Sequence, residues 1–78
     1  MRGTFEILEA ILFACENRNS ATISTMTEIN PDIVNKTLRG FLKKGWITRK
    51  HIKGTYLYQI EDKGKVDWAQ LSELQHDL

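Results

Sequence analysis

One segment of this chain has residue types that define both ends of a helix. Asn30-Pro31-Asp32 predicts its start, because Asn is a strong N-cap, Pro suits the first helical position and Asp complements the helix dipole. Lys43-Lys44-Gly45 predicts its end, because basic side chains suit the negative pole and Gly readily takes the left-handed conformation that stops a helix. A helix over residues 31–44 is therefore expected, burying Val34, Leu38, Phe41 and Leu42.

Along the whole chain, the sequence predicts a helix, a short helix, the 31–44 helix, a hairpin and a last helix. We interpret the order as mainly α with a small β-hairpin, a winged helix-turn-helix with an added C-terminal helix, in one domain over residues 1–78. The first expected helix runs from an N-cap at Thr4 to about Asn17, and a short helix follows within 21–29 with Ile23, Met26 and Ile29 on one face. After the 31–44 helix, strands are expected over 46–51 and 55–60, joined through Ile52-Lys53-Gly54. Asp62-Lys63-Gly64 then interrupts the strand pattern, and a last helix is expected over about 66–78. Residues 21–23 are a further candidate to pair with the hairpin.

Charge is strongly segregated along the chain. Residues 33–60, called the basic segment below, contain seven Lys and Arg residues and no Asp or Glu. The flanking segments, 1–32 and 61–78, each contain two basic and five acidic residues, so the net charge of +1 conceals the separation. Local charge determines the field that a ligand meets, and this pattern favours a polyanionic partner.

The exposed side of the 31–44 helix is a candidate recognition surface for DNA. At 100° per residue, Lys36, Arg39 and Lys43 form one row opposite the buried stripe, with Asp32 at its start. The Arg39 guanidinium matches guanine, Asn35 beside the row could pair with adenine, and the two lysines suit phosphates. Asp32 could pair with Lys36 at i+4 or accept a hydrogen bond from cytosine N4, but we favour its role as a complement to the helix dipole. The alternative is an ordinary solvated face, which the absence of acids from residues 33–60 argues against.

Gly40 is unexpected inside this helix, where Gly costs about 1 kcal/mol relative to Ala. Two explanations stay open. Gly40 permits a close approach to a DNA backbone or to the second helix, or it has no particular role.

The predicted hairpin is a candidate wing. Arg49, Lys50, His51 and Lys53 surround its turn at Gly54, where they could contact phosphates or enter the minor groove. The alternative is a charged edge that prevents aggregation between strands.

The last helix carries an apolar stripe of Trp68, Leu71, Leu74 and Leu78. A chain of 78 residues is near the lower limit for a core without further support, so we favour a homodimer contact through these residues. The alternative is that the helix packs back onto its own domain.

No residue pattern indicates catalysis. Cys15 lies on an apolar helix face, and neither His51 nor His76 has a catalytic or metal-binding partner at a recognisable spacing. We expect Cys15 to be a small core residue, in keeping with a reducing cytoplasm. No enzyme activity, metal, cofactor or small-molecule ligand is indicated. The apolar stretch 5–15 is too short and too interrupted by Glu6 and Glu9 to be a membrane span or signal peptide.

Four segments together resemble small archaeal winged-helix proteins. They are FEILEAIL at 5–12, ISTM at 23–26, LRGFLKKGWI at 38–47 and YQIEDKG at 58–64. This group includes the ten-kilodalton chromatin-associated DNA-binding proteins and related regulators of archaea, their plasmids and their viruses. The resemblance implies a cytoplasmic DNA-binding homodimer joined through its C-terminal helix. It also implies DNA contacts from Asn35, Lys36, Arg39, Lys43 and residues 49–53.

The last helix is shorter than that of the chromatin proteins, which favours a small regulator as the closer relative. The main hypothesis is thus a sequence-preferring regulator that binds double-stranded DNA as a dimer. The alternatives are a sequence-tolerant chromatin-type protein, a winged-helix protein-interaction module, and a single-strand or RNA binder using Trp46, Tyr56 and Tyr58.

Overall fold

The computed structural model describes residues 3–76, which form four helices and a three-stranded antiparallel sheet. The winged-helix architecture predicted from the sequence is confirmed, with one additional strand. The elements in chain order are α1 (Thr4–Ala14), β1 (Glu16–Arg18), α2 (Ser20–Thr27), α3 (Pro31–Lys44), β2 (Ile47–Ile52), β3 (Thr55–Ile60) and α4 (Asp62–His76).

Helix α3 has the predicted bounds and caps. The Asn30 side chain accepts a hydrogen bond from the Asp32 N–H at 2.8 Å, and Pro31 occupies the first turn. At the other end Gly45 has a left-handed φ of 75°, and its N–H donates to the Leu42 carbonyl at 3.1 Å. Leu42 is half-buried rather than buried, whereas Val34, Leu38 and Phe41 are buried as predicted.

Helix α1 differs from its prediction at both ends. Its N-cap is Gly3, which makes no side-chain cap bond, and Thr4 is already helical. The helix ends at Ala14, three residues early, because the chain there joins the sheet. The Cys15 carbonyl accepts a hydrogen bond from the Ile60 N–H at 2.8 Å.

The sheet has the strand order β1-β3-β2. Strand β1 pairs with β3, with Glu16 opposite Gln59, so the pairing expected at residues 21–23 is wrong because those residues are helical. Strands β2 and β3 pair from Ile47–Ile60 to Ile52–Thr55. Lys53 and Gly54 form the turn with φ values of 50° and 79°, the signature of the two-residue type I′ turn that suits a twisted hairpin.

Helix α2 exists as predicted, although its buried face is partly different. Asn19 caps it by accepting a hydrogen bond from the Thr22 N–H at 2.7 Å. Ile23 is buried, and so is Ile29, which lies beyond the end of the helix rather than on its face. Met26 is 53% exposed, so its expected place on the buried face is wrong. Thr27 occupies an interior position instead, and its hydroxyl donates to the Ile23 carbonyl at 2.7 Å.

Helix α4 begins four residues before the predicted Val66. Asp62-Lys63-Gly64, where an interruption was expected, forms the first turn of the helix. Gly64 lies against the backbone of Trp46. A Cβ at Gly64 would be 2.5 Å from the Trp46 carbonyl oxygen, the same oxygen that accepts the Glu61 N–H at 2.9 Å. This glycine therefore permits a close approach of the helix rather than interrupting it.

The core lies between the first three helices and one face of the sheet, and Trp68 closes it from α4. Tyr58 is buried against it, whereas Tyr56 is 41% exposed. Over residues 3–76, no helix combines the length and apolar character needed to cross a bilayer. The largest completely buried side chains are Ile11, Leu12, Ile23, Leu38 and Ile47.

Candidate nucleic-acid interface

The outer face of α3 carries the four residues proposed to contact DNA. Asn35, Lys36, Arg39 and Lys43 are all exposed, on the side of the helix opposite its buried stripe. The N–H of Asp32 is used in the cap, and its carboxylate lies in the first turn, where it complements the helix dipole. The face therefore presents one guanidinium, two ammonium groups and one amide to solvent.

The hairpin formed by β2 and β3 holds its basic residues on both faces. Arg49, Lys50, His51 and Lys53 are all exposed. His51 is paired directly opposite Tyr56, so these side chains and that of Arg49 share one face, while Lys50 lies on the other. Lys53 occupies the turn.

Arg49, His51 and Tyr56 form what we call the wing cluster. The Arg49 guanidinium carbon lies 4.1 Å from the centroid of the Tyr56 ring, and the His51 ring centroid lies 4.9 Å from it. Stacking limits the rotation of the guanidinium while leaving its N–H groups available. Sequence alternation places Tyr56 on a strand, but the contact with Arg49 requires the register of the hairpin.

The cations of the basic segment lie apart from the ion pairs of residues 3–76. None of the segment's seven Lys and Arg side chains forms an ion pair with any residue in the range that the structure describes. The ion pairs there join Arg18 to Glu16 at 3.4 Å and Lys63 to Asp67 at 2.9 Å, both outside the segment. Because no acid within that range neutralises them, these cations are available to a polyanion.

Trp68, expected at a contact with a second chain, is enclosed within its own domain. It is 4% exposed, its ring stacks on Phe5 with centroids 4.6 Å apart, and its Nε1–H donates to Glu9 at 2.9 Å. For this residue the alternative interpretation, packing onto its own domain, describes the structure. Leu71 and Leu74 are 42% and 64% exposed, whereas Leu78 lies outside the described residues.

A second tryptophan also anchors α4. The Trp46 Nε1–H donates to the Asp67 carboxylate at 2.8 Å, and Lys63 donates to the same oxygen at 2.9 Å. Both hydrogen bonds lower the pKa of the Asp67 carboxyl, and the bond from Lys63 has the larger effect. Each indole thus holds a carboxylate, and sequence spacing could not indicate either partner.

The structure tests the expectations for Cys15 and Gly40. Cys15 is completely buried, its thiol donates to the Ile11 carbonyl at 3.3 Å, and burial raises its pKa to about 12. This confirms it as a small core residue. A Cβ at Gly40 would have no atom within 4 Å, so the explanation by close packing on α2 is wrong.

The order of elements, the wing formed by β2 and β3 and the exposed α3 define a winged helix-turn-helix protein. No protein-family model and no curated protein sequence matches the chain. Two of the solved structures that are similar to this chain are Sso10a-2 and ZitR. Sso10a-2, a DNA-binding protein from Sulfolobus solfataricus, superposes with a TM-score of 0.79 at 26% identity, covering 97% of this chain and 84% of its own. ZitR, a zinc-responsive MarR family member from Lactococcus lactis, superposes with a TM-score of 0.67 at 17% identity, covering 99% of this chain and 55% of its own.

The first similarity confirms the resemblance to small archaeal winged-helix proteins that the sequence segments indicated. The second, at its low identity, shows the shared fold.

Proposed function

We propose that this protein binds double-stranded DNA, with α3 in the major groove and the wing on phosphates or in the minor groove. The observation that carries the proposal is the basic segment, whose seven cations form no ion pair within residues 3–76 and lie on the helix and hairpin that a winged helix presents to a duplex. The similarity to Sso10a-2, itself a DNA-binding protein, over nearly the whole chain supports it.

Within this proposal, Arg39 and Asn35 read base edges, and the lysines contact the backbone. A guanidinium fork matches guanine O6 and N7, and an amide matches adenine N6 and N7. Lys36, Lys43, Lys50 and Lys53 are point charges that hold the protein in register without reading sequence. The wing cluster orients Arg49 for a phosphate or the minor groove.

The biological role we propose is a transcriptional regulator that occupies its operator as a homodimer in the cytoplasm. Leu71 and Leu74 are exposed apolar residues on α4 that suit a contact with a second copy. A two-fold symmetric dimer would present two α3 helices to half-sites about one helical turn apart.

The test is a salt titration of binding to mixed genomic duplex fragments, with sequencing of those retained at the highest salt. If each subunit neutralises about five phosphates, log K against log salt should have a slope of about −4 to −5 per subunit. Recovery of one short symmetric site would support a specific dimeric regulator. Uniform, salt-sensitive retention would support a sequence-tolerant chromatin-type protein instead.

A matched control uses a lysine outside the basic segment. Lys65→Gln on α4 removes one exposed charge and should leave the slope unchanged, whereas Lys43→Gln should reduce it by about one. No retention at low salt would contradict DNA binding and favour a protein partner. Stronger binding to single strands than to duplex at equal salt would contradict the proposed groove contacts.

A further inference from the structure

The first turn of α3 exposes an apolar side chain beside its polar ones. Ile33 is 46% exposed, although isoleucine is among the residue types most often buried. The structure describes every residue of α3, and apart from Pro31 at the helix start, Ile33 is its only exposed residue without a polar side chain. A single exposed apolar residue needs no explanation by itself, so the meaning of Ile33 depends on where it lies.

Ile33 borders the surface that we assign to DNA. It lies about 60° around the helix from Lys36, and residues three apart are neighbours on a helix surface. Asn35 belongs to the same turn and lies on the opposite flank of the exposed row. The first turn of α3 therefore presents an amide on one side of its lysine and an apolar group on the other.

Neither packing nor helix stability accounts for an isoleucine at this position. Within the part of the chain that the structure describes, Ile33 belongs neither to the hydrophobic core nor to the apolar side chains packed against it. Isoleucine is also a poorer helix former than leucine, lysine or glutamate. Its branched Cβ restricts rotation about χ1, so the methyl groups of Ile33 are held in place and lose little freedom in a contact.

The major groove of DNA offers one apolar group to such a side chain, the C5 methyl group of thymine. The minor groove presents no methyl group, since thymine shows only its O2 atom there. A recognition helix contacts base edges with the residues near its N-terminus. Ile33 is the third residue of α3, so it lies in the part of the helix that reaches the bases.

We propose that Ile33 contacts the C5 methyl group of thymine and thereby selects thymine at one position of the DNA site. This inference rests on the proposed function, because α3 must lie in the major groove for the contact to form. Asn35, in the same turn, suits adenine, so both side chains favour A·T pairs beneath the start of α3. Burying one methyl group between the two surfaces corresponds to about fourfold in affinity.

Replacing thymine by uracil tests the contact directly. Uracil pairs as thymine does and lacks only the C5 methyl group. Mixed genomic duplex fragments would be amplified with either dTTP or dUTP, and the two pools, which have the same sequences, would compete for the protein at one salt concentration. The parent protein should prefer the thymine pool by about fourfold for each methyl group that it contacts.

Two alanine variants locate the contact, because the wing has an isoleucine of similar exposure. Ile33→Ala should reduce the preference for thymine by about fourfold and bind the uracil pool as the parent does. Ile52, in β2, is 41% exposed, and Ile52→Ala should leave the preference unchanged because the wing is assigned to phosphates or the minor groove. Ile33→Val, which keeps both γ-methyl groups, should retain most of the preference. Alanine is a better helix former than isoleucine, so Ile33→Ala should fold as well as the parent.

The failure of this inference is distinguishable from failure of the proposed function. If the parent binds both pools equally, or if Ile33→Ala keeps the full preference for thymine, the inference is overturned while DNA binding stands. Loss of the preference in Ile52→Ala to the same extent would also overturn it, since the methyl effect would then not belong to α3. If neither pool is retained at low salt, the proposed function fails and the thymine contact fails with it.

Discussion

Replacing two glycines by alanine, one at a time, should have opposite effects on stability. Gly40 lies in the interior of α3 with open space around it, and Gly64 lies in the first turn of α4 against Trp46. Each replacement removes the same conformational freedom from the unfolded chain. The difference between the two variants therefore reports on the folded environment of each site.

The magnitudes follow from the distances. At Gly40 no atom obstructs the new methyl group, so alanine should stabilise by about 1 kcal/mol. At Gly64 the methyl group would lie 2.5 Å from the Trp46 carbonyl oxygen and 3.1 Å from its Cα. These are backbone atoms that cannot rotate away, so the start of α4 must move and strain the Glu61 N–H bond to that oxygen. Such overpacking costs about 1–3 kcal/mol, and a contact of 2.5 Å with a backbone atom belongs to the upper part of that range, above the gain of about 1 kcal/mol in helix propensity.

Urea unfolding followed by tryptophan fluorescence, at one fixed protein concentration, measures both effects. Gly40→Ala should raise the midpoint and Gly64→Ala should lower it, with a difference of about 2–3 kcal/mol between them, which is the cost of overpacking at Gly64. In a domain of this size 1 kcal/mol corresponds to about 4–8 °C in Tm. A Gly64→Ala protein as stable as the parent would refute the close approach of α4 to Trp46.

Three other predictions test the proposed roles of single residues. Arg39→Ala should remove discrimination between DNA sequences, whereas Lys53→Asn, which retains a residue suited to positive φ, should weaken all duplexes alike; equal effects would contradict the division of roles. The pKa of the Asp67 carboxyl lies below its usual 3.8, chiefly through the hydrogen bond from Lys63. The ionised carboxylate therefore stabilises the folded protein above pH 3.8, and this stabilisation is lost as the pH falls through the pKa of the folded state. The stability difference between the parent and Asp67→Asn should therefore shrink on acidification, and a constant difference would contradict this. The pKa of about 12 and complete burial of Cys15 predict alkylation only upon unfolding, so a rate in native buffer equal to that in urea would be inconsistent with the structure.

The parts of the fold that could be predicted are those with local signals. The caps of α3 act within a few residues of Asn30 and Gly45, and the hairpin turn depends on Lys53-Gly54. The exposure of Arg39 follows from helical periodicity alone. The roles assigned to the DNA-contacting residues remain predictions, because periodicity places a side chain on a surface without identifying what binds there.

The remaining features depend on residues distant in the chain. The sequence predicts an interruption at Gly64 rather than a helix. The residue that requires a glycine there is Trp46, whose carbonyl lies against Gly64 although it is eighteen positions away in the chain. Glu9 accepts a hydrogen bond from Trp68 across fifty-nine positions, so the tryptophan that was expected at a dimer contact packs within its own domain. Capping and periodicity depend on neighbours within a turn or two and can be read from the residue order, whereas close approach and the pairing of side chains arise only when separate elements pack together.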